Sequence, residues 1–207
     1  QQVSSAASDV YKRQVLSREK FLTLENSKDV LGYTTKFRED PIYLDPRHKD
    51  LGARLITNLE KLHLSLKLLE LKSSNLDEYY SVSNKLGIPQ TNTDKLQNNL
   101  FGIECNLNEL NGIDFKKGCY VGQENTARIK LKDKLSKRLF PVEVIEGDLS
   151  KDNIIHHENT ELGKVLINNK FPFAIVKFKD KNFKFEKIFK CGSASVKIKK
   201  PYWFKFD

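Results

Sequence analysis

Methionine is absent from the 207 residues, and the chain starts on Gln1. Such a start reads as an incomplete or processed chain. Residues 1–13 (QQVSSAASDVYKR) are small and polar with no amphipathic period, and are expected to be a non-native or disordered leader. No apolar run approaches the roughly 20 residues of a membrane-spanning helix. No charged start is followed by the apolar core of a secretory signal, so no membrane partner is expected. Cysteine is scarce: Cys105, Cys119 and Cys191 are odd in number and widely spaced. That argues against a disulfide framework and fits a reducing compartment. CxxC does not occur, which argues against a self-sufficient zinc or iron–sulfur site.

What the chain does have is lysine. The net charge of +9 permits RNA or another acidic partner without requiring one; the simpler reading is solvated lysines on a soluble surface. Arg128, Lys130, Lys132, Lys134, Lys137 and Arg138 form a basic run in mid-chain, and lysines are dense again from Lys177 to Lys205.

In chain order, Phe21–Leu24, Val30–Phe37, Pro41–Leu44 and Leu51–Ile56 read as strands, with a turn at Asp45-Pro46. Residues 58–72 fit both periods, and length favours a helix. Ser74-x-x-Asp77 resembles a capping box before a helix carrying Leu76, Tyr79, Tyr80, Ser83 and Leu86. Gly87 and Pro89 end it. Thr91–Leu100 reads as a loop or short helix, and residues 123–131 as a helix. Arg138–Ile145, Leu162–Ile167, Phe173–Phe178 and Ser195–Lys199 alternate as strands of a small antiparallel barrel or sandwich. The boundary between the two halves falls near Lys134–Lys137.

The chemistry concentrates where those halves meet, at Lys116-Lys117-Gly118-Cys119-Tyr120-Val121-Gly122-Gln123-Glu124. A thiol reacts as its thiolate, and positive charge or a helix N-terminus stabilises that form. Cys119 lies just before the expected helix, with two lysines upstream and a glycine on each side. A reactive thiol and a small buried turn residue are both open on these grounds. Glu124 is either a base or hydrogen-bond acceptor for a ligand, or an acidic residue facing the helix dipole. Tyr79 and Tyr80 either stack on a flat ligand or pack along their stripe. None of His48, His63, His156 and His157 has a signature spacing to the cysteine, and His156-His157 reads as a surface pair in a polar loop.

Lys117-Gly118-Cys119-Tyr120-Val121-Gly122-Gln123-Glu124 resembles the KGCYxGQE signature of the YgfZ family, folate-binding proteins that assist iron–sulfur enzymes and include the mitochondrial iron–sulfur assembly factors. Supporting segments are Asp45-Pro46-Arg47 with Leu51-Gly52-x-Arg54, Gly87-Ile88-Pro89, Glu104-x-Asn106, Asn111–Phe115, Thr126-Ala127-Arg128, and Val196–Trp203 near the end. The resemblance covers residues 30–207. It implies an α+β, aminomethyltransferase-like folate-binding domain, incomplete here over residues 14–134, followed by a small C-terminal antiparallel β-barrel over 135–207. It further implies tetrahydrofolate or a derivative as cofactor, with Tyr79, Tyr80 and Glu124 near it. It implies Cys119 as the functional thiol, which would either supply one ligand to an iron–sulfur cluster shared with a partner or make a transient thiol contact; no resident metal site is implied. Lys117, Gly118, Tyr120, Gly122, Gln123 and Arg128 complete the motif. Ser83 and Gln90 depart from the family's usual Arg and Glu beside the glycine turn.

The expected function is assembly or repair of iron–sulfur proteins, tRNA-modifying enzymes among them, by a factor that is not itself an enzyme. The expected partners are iron–sulfur assembly proteins and client enzymes, with tRNA indirect. The expected location is the cytoplasm of a bacterium, or the mitochondrial matrix if the source is eukaryotic. Rival readings are a folate-dependent aminomethyltransferase or demethylase, and an RNA-binding module on the mid-chain basic run.

Overall fold

Tyr11–Leu16 (β1), Thr34–Phe37 (β2), Asp40–Leu44 (β3) and Ala53–Asn58 (β4) pair antiparallel in the order β1-β4-β3-β2. They belong to a computed structural model that describes residues 11–72, 74–118, 123–131, 135–149 and 153–205. The chain forms two units, residues 1–78 and 79–207. The stretch set apart as a leader thus ends inside a strand, since Tyr11, Lys12 and Arg13 pair with Asn58, Thr57 and Ile56.

β4 alternates buried and half-buried residues along its length, as a strand with one face on a core must. Ala53 and Leu55 meet Ile42 and Leu44 of β3, Leu16 and Phe21 there. Phe21 lies on a short helix, Arg18–Leu22 (α1), not on the expected strand. The Ser17 side chain caps that helix by accepting from the Lys20 N–H, a local signal that outweighs the strand propensity of its apolar residues. Val30 and Leu31 likewise fall in an exposed turn before β2. Residues 59–68 are helical (α2), capped by Asn58.

The β3–β4 connection is held by one carboxylate. Asp45 is 1% exposed and accepts four hydrogen bonds: from the Arg47 N–H at 3.0 Å, Arg47 Nε at 2.9 Å, an Arg47 terminal nitrogen at 2.8 Å and Arg54 Nε at 2.8 Å. Gly52 closes the same turn at φ 71° and ψ −155°. A Cβ there would lie 1.9 Å from the Leu16 carbonyl oxygen, so only glycine fits.

Leu76–Lys85 is the next helix (α3). Its N-terminal cap is Asn75, which accepts from the Glu78 N–H at 3.0 Å. The anticipated Ser74/Asp77 box does not form; the Ser74 hydroxyl bonds the Glu78 carboxylate instead. The C-terminus follows the expected glycine cap. The Gly87 N–H donates to Asn84 O at 2.8 Å and the Ile88 N–H to Ser83 O at 2.9 Å, with Gly87 at φ 70°. This is the paired 5→2 and 6→1 closure of a Schellman motif.

The second unit carries a helix, Gln123–Leu131 (α4), and six strands: Arg138–Glu146 (β5), Ile154–His157 (β6), Thr160–Ile167 (β7), Phe173–Val176 (β8), Ile188–Cys191 (β9) and Ala194–Ile198 (β10). They close into an antiparallel barrel in the order β10-β5-β8-β7-β6-β9. The α+β region followed by a small antiparallel barrel is thus present as expected. β6 and β9 are additions to the sequence reading. His156 and His157 stand in β6 rather than in a loop, paired to Glu161 and Thr160 of β7. The barrel interior is aromatic, with Phe140 edge-on to Phe185 and Phe204 at 5.0 Å each. Residues 79–131 belong to the barrel's unit, so the division lies well before Lys134–Lys137.

Candidate functional site

Cys119, Tyr120, Val121 and Gly122 lie outside the described residues. Their setting is fixed from both sides. Upstream, the Asp114 carboxylate accepts from the Lys116 N–H at 2.8 Å, an Asx turn that leads the chain out to exposed Lys116, Lys117 and Gly118. Downstream, α4 starts at Gln123, as expected from the sequence. Ile113 and Phe115 before the gap and Ile129 after it pack against the barrel core. The Lys130 ammonium sits 3.6 Å from the centre of the Phe115 ring, a cation–π contact joining the two flanks. The signature therefore spans two anchors on one barrel, with a helix N-terminus on its downstream side.

A third anchor comes from Glu104-x-Asn106. The Glu104 carbonyl accepts from the Leu139 N–H at 2.9 Å. Asn106 is 0% exposed at φ 61°, and its amide donates to the Leu139 carbonyl at 2.7 Å. Backbone and side chain together thus pair this loop to β5 as a further strand would. The Asn106 oxygen accepts from Arg138 at 3.0 Å, and Arg138 also pairs with Glu109. The sequence marked Glu104-x-Asn106 only as part of a resemblance; nothing in its spacing signals an amide standing in for a strand. Asn106→Ala removes both bonds and leaves the Leu139 carbonyl unsatisfied. It is expected to lower stability by about 1–3 kcal/mol, read by chemical denaturation.

Gly118 differs from the other signature-flanking features. Among the described residues a Cβ added there meets nothing within 4 Å, and its φ lies outside the left-handed region. The described fold does not need a glycine at this point. Gly118→Ala is expected to leave the melting temperature unchanged or to stabilise by up to about 1 kcal/mol. Any loss of activity in that variant would come from crowding something that approaches the loop.

The other two cysteines are occupied by the fold. Cys191 is fully buried in the barrel core. Cys105 is half-buried, and burial, followed by the neighbouring Glu104 carboxylate, pushes its thiol up to about 11. Cys105 is therefore no thiolate source near neutral pH. Among the described residues no group of three or more His, Cys, Asp and Glu side chains stands ready for a metal ion.

Tyr79 and Tyr80 sit half-buried on α3. Tyr80 meets the Phe171 ring edge-on at 6.2 Å, and the Tyr79 hydroxyl accepts from Gln90 at 3.2 Å. The space between Tyr80, Ile88, Gln90 and Phe171 has no room for a water-sized sphere. Glu124 is exposed in the first turn of α4, and Arg128 is exposed on the same helix. The side chain of Gln123 lies outside the described residues. His63 is exposed on α2. The His48 ring caps the turn at Lys49–Leu51, its Nδ1 accepting from the Asp50 N–H at 3.1 Å. His157 lies edge-on to Phe189. In the basic run, Lys132 and Lys134 fall outside the described residues. Arg138 is 14% exposed and committed to Asn106, Glu109 and the faces of Phe178 and Phe204.

No protein-family model matches the chain. Among curated proteins it is similar to the mitochondrial iron–sulfur cluster assembly factor IBA57 homologue of Dictyostelium discoideum, 34% identical over 115 residues. That match takes in 55% of this chain and 28% of the relative. The mitochondrial iron–sulfur cluster assembly factor IBA57 of Mus musculus is 36% identical over 110 residues, 53% of this chain and 30% of the relative. The mitochondrial IBA57 homologue of Aspergillus oryzae is 40% identical over 109 residues, 51% of this chain and 24% of the relative. The matched stretch thus spans 24–30% of the length of these relatives. The similarity corrects two expectations. The relatives are mitochondrial by name, which overturns the cytoplasmic location and leaves the mitochondrial alternative. They are named as IBA57 assembly factors, which overturns the tRNA-modifying YgfZ assignment.

Proposed function

We propose that this chain is part of a mitochondrial accessory factor for iron–sulfur cluster assembly, working through the thiol of Cys119. The similarity to IBA57 assembly factors carries the reading. The anchoring of the signature flanks on the barrel, and the occupation of Cys105 and Cys191 by the fold, support the choice of thiol. The cluster is the cargo. One cysteine cannot hold a cluster that takes about four protein ligands, so Cys119 contributes one ligand while the assembly or client protein contributes the others. The adjoining N-terminus of α4 favours the anionic sulfur needed for that contact. Lys116 and Lys117, exposed on the upstream side, add positive charge near it.

Tetrahydrofolate belongs to the proposal only at the level of the resemblance. That resemblance places Tyr79, Tyr80 and Glu124 near the cofactor. The test is rescue. The native protein, expressed in the mitochondria of cells lacking their own IBA57 factor, is expected to restore the activity of iron–sulfur enzymes. Correct import and folding without any recovery would contradict the proposal.

A further inference from the structure

One face of the barrel carries an open cleft of about 750 Å³, within the roughly 300–1,000 Å³ typical of small-molecule sites. Its walls come from four separate parts of the chain. Asn84 and Lys85 stand at the end of α3, Val142 and Glu143 on β5, Lys170 and Pro172 in the β7–β8 turn, and Lys199, Lys200 and Tyr202 after β10. The cleft is distant in sequence from the signature, and its assignment does not rest on the iron–sulfur reading.

Three observations point to an anion. Four ammonium groups converge on it against two carboxylates, those of Glu143 and Asp148. Lys199 is satisfied within the protein, 3.4 Å from Glu143 and 3.1 Å from Glu186. Lys85 and Lys200 make no ion pair among the described residues, and both are exposed at the rim. Lys170 is exposed in the lining as well. The apolar part of the lining comes from Val142, Pro172 and the ring of Tyr202, which is 62% exposed. Glu143 and Asp148 would repel a long acidic chain laid across the cleft. A compact anion seated at the lysine side avoids them.

We propose that this cleft binds a compact, multivalent organic anion. Its phosphate or carboxylate groups pair with Lys85, Lys170 and Lys200, and its apolar body lies against Tyr202. Isothermal titration of the whole chain with pyrophosphate and, separately, with citrate tests this. Binding of pyrophosphate alone would identify a phosphate ligand and binding of citrate alone a carboxylate ligand; either supports the site. The double variant Lys85→Ala/Lys200→Ala should then weaken binding at least tenfold. A control of equal charge loss on exposed barrel-unit lysines, Lys164→Ala/Lys181→Ala, should leave it within twofold. Equal weakening in both double variants would reduce the effect to diffuse surface charge and overturn the proposal. So would failure of both anions to bind, including the case in which only an Asp/Glu-rich peptide binds.

Discussion

Replacing Asp45 with alanine is expected to destabilise the first unit by about 3–5 kcal/mol, the usual loss when one member of a buried ion pair is removed. The carboxylate is 1% exposed, and its two partners are 30% and 13% exposed. Without it, two guanidinium groups lose the carboxylate they share, and the turn that carries the Gly52 backbone loses its organiser. Burial is the largest single influence on Asp45 and acts to raise its pKa. The Arg47 side chain and N–H, with Arg54, outweigh it and hold the carboxyl below its ordinary value. The unfolded chain therefore binds a proton at Asp45 before the folded chain does. The stabilisation is complete above about pH 4 and is lost as pH falls through the lowered folded value. His48 adds an earlier step of the same sign. Burial lowers its pKa, and its Nδ1 must remain an acceptor for the Asp50 N–H. Stability is thus expected to decline first below about pH 6.5, where an unfolded histidine takes up a proton. Urea denaturation from pH 8 to pH 3 would show both steps in the native chain. In Asp45→Ala the second would shrink.

The sequence made the barrel legible because β5, β7, β8 and β10 are apolar runs rich in β-branched and aromatic residues set between turns, although their burial does not alternate strictly: β5 buries Leu139 to Val142 in succession. It made the end of α3 legible because Gly87 has a single conformational use there. β6 and β9 were hidden for a physical reason. Each is four residues long, too short for alternation to stand out from the surrounding lysine and asparagine. α1 was hidden because the strand propensity of Phe21–Leu24 and the cap at Ser17 point in opposite directions, and the cap prevails. At the candidate site, the cysteine and its helix were readable. The anchoring of their flanks was not, because Ile113, Phe115 and Ile129 meet the barrel through contacts distant in sequence. The role of Asn106 was equally closed to sequence, since it depends on a left-handed backbone angle and on a carbonyl 33 residues away.

The largest functional effect is expected at Cys119. The serine variant replaces a polarisable sulfur with a hydroxyl that neither ionises near neutral pH nor ligates a cluster readily, and it adds no volume. The fold should be untouched, because the flanks are held by Ile113, Phe115, Ile129 and Lys130. Cys105 is the matched control. With its thiol pushed up to about 11, only about one part in ten thousand is thiolate at pH 7, and Cys105→Ser should retain function. The decisive measurement is iron–sulfur enzyme activity in cells lacking their own IBA57 factor, with each variant expressed to the same level. The wild-type protein and Cys105→Ser are predicted to restore that activity, and Cys119→Ser to leave it at the level of cells with no added protein. Full restoration by Cys119→Ser would contradict the account.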